Sequence, residues 1–285
     1  MSGRPVHVRG NHPRNHDGDF FSVLVTRTTA APRPGSDDIS RACEEGWVGI
    51  DGYLKTDGTR QRRAIAFQGQ VTTADGQSIS EAFIVDLPDD LTQPGDGPLA
   101  GTETRAPFPP KGCMQRRLTF TANRKFPGLQ GPRHWLRSSP DGSRIAMLMK
   151  DDAGIVQLWT VSPLGGPHRQ LTRNPWPIAS AFSWSADGKS IAHAMDNSIF
   201  ITNTDNGIST RLTPRYSDES APRPEACVFL ARRSANRFRP KHSRWRRIVQ
   251  SGFRCQQRSR LTGQGSTPGA FELFKESLAS SPSGF

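Results

Sequence analysis

Apolar residues recur with period two in short runs along much of this chain. Ile145, Met147 and Met149 alternate in this way, as do Phe182 and Trp184, and polar turn residues close each run. Such alternation marks strands that send every second side chain into a core.

The runs belong to a repeating unit. It opens on Arg/Gln-Leu-Thr, crosses a polar loop rich in Pro, and enters a strand that ends in Ser-x-Asp-Gly. An Ile-Ala strand follows, and then a strand with large apolar residues. The clearest copy starts at Arg117-Leu118-Thr119 and passes His134-Trp135-Leu136-Arg137-Ser138. It turns at Ser139-Pro140-Asp141-Gly142, continues through Ile145-Ala146-Met147, and carries Leu158-Trp159 before Gln170-Leu171-Thr172. The next copy turns at Ser185-Ala186-Asp187-Gly188 and closes on Arg211-Leu212-Thr213. The two Asp-Gly turns lie 46 residues apart, and the Leu-Thr marks are spaced by 53 and 41. Asp-Gly supplies hairpin turns because Gly takes positive φ without a Cβ clash. A unit of about 40–50 residues matches one four-stranded propeller blade, which must stack on neighbours to bury both faces.

Upstream, the pattern is more divergent. Residues 20–26 read as a strand, residues 36–45 as a short helix N-capped by Ser36, and Ala64–Phe67 with Ala82–Leu87 as a hairpin around Ala74-Asp75-Gly76. Residues 88–112, dense in Pro and Gly, read as a long exposed connection. The expectation is therefore all-β: an incomplete β-propeller of about three four-stranded blades, with a disordered basic C-terminal tail. Residues 1–19 form an irregular segment and 20–112 a divergent blade with a helical insertion and long loop. Residues 113–228 form regular blades, and 229–285 stand outside the repeat.

Charge sharpens that last boundary. The net charge is +12. Residues 229–285 carry 12 Lys/Arg against 2 Asp/Glu, leaving only +2 for residues 1–228. The basicity belongs to the tail, so a nucleic-acid partner is not expected despite Arg232, Arg233, Arg237 and the Arg244–Arg247 run. No apolar run reaches membrane-span length. The opening ten residues lack the apolar core of a secretion signal.

The Leu-Thr/Asp-Gly/Ile-Ala pattern resembles the TolB-like (WD-like) propeller repeat. The stretches Pro32–Asp37, Glu44–Gly49, Gln115–Phe120 and Pro132–Trp135 resemble more narrowly the uncharacterised YidR-like bacterial proteins, over roughly residues 12–228. The resemblance implies a propeller and further blades on both sides. TolB-type relatives also imply an envelope location. The compartment is otherwise unknown.

At residue 229 the third copy breaks. After Pro222-Arg223-Pro224-Glu225-Ala226-Cys227-Val228-Phe229, Ser-x-Asp-Gly is due, but the chain reads Leu230-Ala231-Arg232-Arg233. A permitted codon set for 230–240, regrouped by one base, translates as Ser-Pro-Asp-Gly-Arg-Gln-Ile-Ala-Phe-Val, the missing turn and strand. A one-base insertion after the Phe229 codon is the reading, making the tail an out-of-frame segment and the product a gene fragment.

Recognisable catalytic chemistry is sparse. His12 and His16 stand four apart, but Pro13 and Gly18 argue against the helix that would align them on a metal. The four cysteines (Cys43, Cys113, Cys227, Cys255) have no metal-ligand or redox spacing. Asp151-Asp152 reads as a hairpin cap, and no phosphate loop or hydrolase elbow appears. Arg133, His134 and His193 lie in repeat strands or beside them and are the candidate channel-facing ligand residues. No cofactor can be named. The leading expectation is a non-catalytic module that binds a protein or small ligand. The rival is a propeller-type enzyme, such as a metal-dependent sugar-acid lyase, which the TolB-like resemblance allows.

Overall fold

The computed structural model describes residues 3–10, 17–132, 135–229 and 253–257. Among them the architecture is almost entirely β, with one 3-10 turn at Asp218–Ser220. Strands β1 (Pro5–Val8) and β2 (Gly18–Phe21) form a small hairpin. The first four-stranded sheet takes β3 (Arg41–Trp47), β6 (Arg63–Thr72), β7 (Ser78–Leu87) and β8 (Met114–Arg117) in that order. The short pair β4 (Tyr53–Leu54) and β5 (Arg60–Gln61) is inserted in it. The second sheet runs β9 (Arg137–Ser138), β10 (Ile145–Lys150), β11 (Val156–Val161) and β12 (Arg169–Gln170). The third runs β13 (Ser183–Trp184), β14 (Ser190–Met195), β15 (Ser198–Asn203) and β16 (Ser209–Arg211). Then β17 (Pro222–Phe229) pairs antiparallel with β18 (Phe253–Gln257). The rest of the expected tail lies outside the described residues.

Each sheet is an antiparallel meander, and its alternating side chains feed two different cores. Ala64, Ala66, Ala82 and Ile84 of the first sheet meet Ile145, Met147 and Met149 of the second. On the other face of the second sheet, Ala146 and Leu148 meet Phe182 and Ile191 of the third. The outer face of the first sheet is covered by the N-terminal segment, whose Val23, Val25 and Ile39 pack on Phe67, Phe83 and Val85. Beyond the third sheet, Phe229 packs on Ala192, Ala194 and Ile199. The sheets are stacked as blades.

One hydrogen-bond code recurs at three hairpins, one in each blade. Ser139 and Ser185 donate to Asp141 and Asp187 two residues on, both at 2.5 Å, and Thr73 bonds Asp75 in the same manner. The hydroxyl of each then accepts the N–H that opens the next strand, from Gln77, Arg144 and Ser190. The turn is therefore closed by local side-chain bonds that favour it over other conformations.

The blades also exchange bonds. Trp184 donates its indole N–H to the Arg137 carbonyl at 2.9 Å, and Arg144 returns a guanidinium N–H to the Thr204 carbonyl at 3.0 Å. The Arg144 guanidinium lies 5.3 Å from the Trp184 ring.

Two local expectations are corrected. The helix expected at 36–45 is instead a turn followed by β3, which pairs with β6 from Arg41↔Gln70 to Trp47↔Ile65. The segment is polar and has no apolar stripe at helical spacing, so strand pairing to a long neighbour outweighs a weakly driven helix. The strand expected at 20–26 stops at Phe21, after which the chain crosses the first blade.

Candidate functional site

The first strands of the successive blades, β3, β9 and β13, lie side by side, and β17 follows β13 in the same row. These neighbouring inner strands carry polar residues: Glu44 and Glu45 on β3, Arg137 on β9, Ser183 on β13, and Arg223 and Glu225 on β17. In a closed propeller the corresponding surface lines the central channel.

The approach of β3 to β9 depends on an irregularity. The β3 register shifts between Cys43 and Gly46, and Glu44 takes φ 56. A bulge of this kind adds an unpaired residue and re-aims the side chains around it. Gly46 lies so near the neighbouring blade that a Cβ there would come within 2.6 Å of the Leu136 carbonyl oxygen. The Leu136 N–H in turn donates to the Glu44 carbonyl at 3.4 Å.

Glu44 Oε2 is buried and has no hydrogen-bond partner among the described residues. The half-buried Arg137 guanidinium stacks 5.1 Å from the Trp135 ring. Burial pushes the Arg137 pKa down from the ordinary guanidinium value, and the negative charges of Glu45 and Glu44 pull it back. An acid and a base thus share a partly desolvated surface beside an indole, a setting in which charges act more strongly than in water.

Of the residues singled out from the sequence, Arg133 and His134 lie outside the described residues, immediately before Trp135. His193 is corrected. It is 0% exposed, its Nε2 is 2.8 Å from Thr202 Oγ1, and its ring stacks on Phe200. Strand alternation puts it on the same side of β14 as Ile191, toward the second blade rather than on the inner surface. Burial lowers its pKa to about 4. Glu44, Glu45 and Arg137 were not singled out in advance. The helix expected over 36–45 hid the two glutamates, and only the place of Arg137 just before Ser-Pro-Asp-Gly marked it. The pair His12 and His16 lies outside the described residues. Asp151 does cap its hairpin, accepting from the Ala153 and Ile155 N–H groups at 3.0 and 2.9 Å. Among the described residues no helix is long and apolar enough to cross a membrane.

No family model matches the chain. The uncharacterized protein YidR of Escherichia coli (strain K12) is 46% identical over 229 residues, which cover 79% of this chain and 52% of the relative. The chain therefore spans about half the length of that relative. Among solved structures, TolB from Acinetobacter baumannii is 21% identical over 65% of this chain and 38% of its own, with a TM-score of 0.35. A putative TolB from Agrobacterium tumefaciens is 20% identical over 64% of this chain and 50% of its own, with a TM-score of 0.32. The chain is thus similar to YidR over most of its length, and its repeat and three stacked four-stranded sheets are those of propeller blades.

Proposed function

We propose that this YidR-like propeller unit binds a protein or small ligand on the surface of its inner strands, without catalysis. The observation that carries the reading is the close approach of β3 to β9 beside Trp135, where a buried Glu44 oxygen has no donor among the described residues and the negative charges of Glu45 and Glu44 act on Arg137. Within the blades Glu81, Gln157 and Thr172 are bonded inside the fold, whereas Asn174 Nδ2 and His193 Nδ1, like Glu44 Oε2, are buried without a hydrogen-bond partner among the described residues. A carboxylate, a guanidinium and an aromatic face suit a polar ligand with both hydrogen-bonding and stacking surfaces. Arg133 and His134, adjacent in sequence, join the candidate set.

The test uses a full-length YidR-like homologue and this chain in parallel, screened for ligand-induced thermal stabilisation. Hits should be lost in E44Q and R137Q, at the positions equivalent in the homologue, while both variants keep the parent melting temperature. Stabilisation that survives both substitutions places binding elsewhere. Release of unsaturated product from uronides, together with a bound metal, replaces the binding reading with a lyase.

A further inference from the structure

We infer that the outer edge of the first blade carries a separate site for a small oxyanion, bearing a carboxylate or phosphate group, with Arg27 and Lys111 as its cationic contacts. This edge is formed by β8, three strands across the sheet from β3, so the site is distinct from the inner surface.

Two adjoining clefts, of about 390 and 560 Å³, open where the N-terminal segment meets the 88–112 connection. They share one wall, formed by Arg27, Pro109, Cys113 and Gln115. The larger cleft falls within the range of small-molecule sites, roughly 300–1,000 Å³. The connection that walls it is held in place: Pro94 and Pro110 form a β-bridge, and the Phe108 N–H donates to the Pro98 carbonyl at 2.8 Å.

The charges of these clefts do not cancel. In the smaller one, Asp38 is bound by Arg33 at 2.7 Å and Asp37 lies 3.6 Å from Arg117, so both acids are already matched. Arg27 has no such partner. Its backbone N–H donates to Gln115 Oε1 at 3.2 Å, and its guanidinium lies 5.0 Å from the Phe108 ring. Among the described residues no carboxylate pairs with that guanidinium or with the Lys111 ammonium. Asp96 is the single acid of the larger cleft, against these two cations.

A guanidinium anchored on an aromatic face, with its N–H groups unspent, is pre-organised for bidentate contact with a planar or tetrahedral oxyanion. The Cys113 thiol on the shared wall is raised to about 11 by burial, so at neutral pH it adds no competing negative charge. Pro109, on the shared wall, would take the carbon part of an organic anion, since the Phe108 ring is occupied by the Arg27 and Arg105 guanidinium groups.

The experiment is calorimetric titration of the full chain with inorganic phosphate and, separately, with citrate, at low ionic strength. A saturable response to one and not the other assigns the anion class. R27Q should weaken binding by about tenfold or more, about 1.4 kcal/mol, and K111Q by less, while R60Q, on the distant β5, should leave it unchanged. Independently, the bound anion should slow maleimide labelling of Cys113 and not of Cys43, read by peptide mapping. Absence of a saturable response to both anions overturns the proposal. So does equal weakening by R27Q and R60Q, or labelling of Cys113 at an unchanged rate.

Discussion

Thr172 donates its hydroxyl to Gln157 Oε1 across 2.7 Å, and Thr119 makes the same bond to Glu81 one blade earlier. In both blades the threonine also accepts the N–H of the residue after its partner, from Ala82 at 2.8 Å and from Leu158 at 3.0 Å. The carboxylate or amide then takes the N–H two residues beyond the threonine, from Thr121 at 2.7 Å and Asn174 at 3.0 Å. The third blade retains the bond from the Ile199 N–H to Thr213, at 3.0 Å. The Leu-Thr mark in the sequence is thus the last step of each blade: the threonine ties the outer strand to its neighbour, and the leucine enters the core in the first two blades, while Leu212 of the third is exposed.

Thr119→Val keeps the shape but leaves the buried Glu81 carboxylate and the Ala82 N–H each one bond short. It should cost about 2–3 kcal/mol, read as a lowered urea midpoint with unchanged slope. Thr172→Val, facing a neutral amide, should cost less. Equal, negligible losses in both would show that the bond does not hold the blade.

Gly142 and Gly165 separate conformational from steric demands. Both have positive φ, at 75 and 87, but a Cβ at Gly142 would run into the Gly52 carbonyl while Gly165 faces open space. Gly165→Ala should cost about 1 kcal/mol from the backbone alone. Gly142→Ala must in addition push the first and second blades apart, and should fail to give a cooperative melt or melt far lower.

His193 makes stability depend on pH. Its folded pKa, near 4, lies below the ordinary histidine value of 6.5, so the unfolded chain binds the proton more readily. The neutral ring's contribution is complete above about pH 6.5 and is lost as pH falls toward 4, amounting to as much as about 3 kcal/mol. His193→Gln should flatten the difference between denaturation midpoints at pH 7 and pH 5. A variant as pH-sensitive as the parent would assign the loss to other groups.

Tyr53 is a spectroscopic reporter of the junction between the first two blades. Its hydroxyl donates to Asp86, at 2.9 and 3.0 Å to the two oxygens, and accepts from Arg116 at 2.7 Å. Burial first, and then Asp86, raise its pKa to about 12. Ultraviolet titration should show one tyrosine that ionises only near that value, and Asp86→Asn should bring it down while the chain stays folded.

The parts of the fold legible in the sequence are those held by local or repeated bonds. Ser139-Pro140-Asp141-Gly142 closes on itself, so its residues announce the turn wherever the chain goes next. Leu171-Thr172 recurs because each blade needs the same tie. The strand Arg41–Trp47 was not legible: its residues are polar, and what makes it a strand is β6, more than twenty positions away at the Arg41↔Gln70 pair. His193 was misplaced for a related reason, since alternation shows which residues share a face but not which blade that face meets. The inner-surface group of Glu44, Glu45 and Arg137 exists only once two blades stand side by side.

The reciprocal bonds between Trp184 and Arg137 and between Arg144 and Thr204 have a mechanical consequence. The two bonds attach at different points of each blade, one before and one after the Ser139–Gly142 turn of the second, so displacing one blade against the other costs both. The second and third blades are thereby tied at two points rather than one. A hinge opening between these two blades would have to break both ties at once.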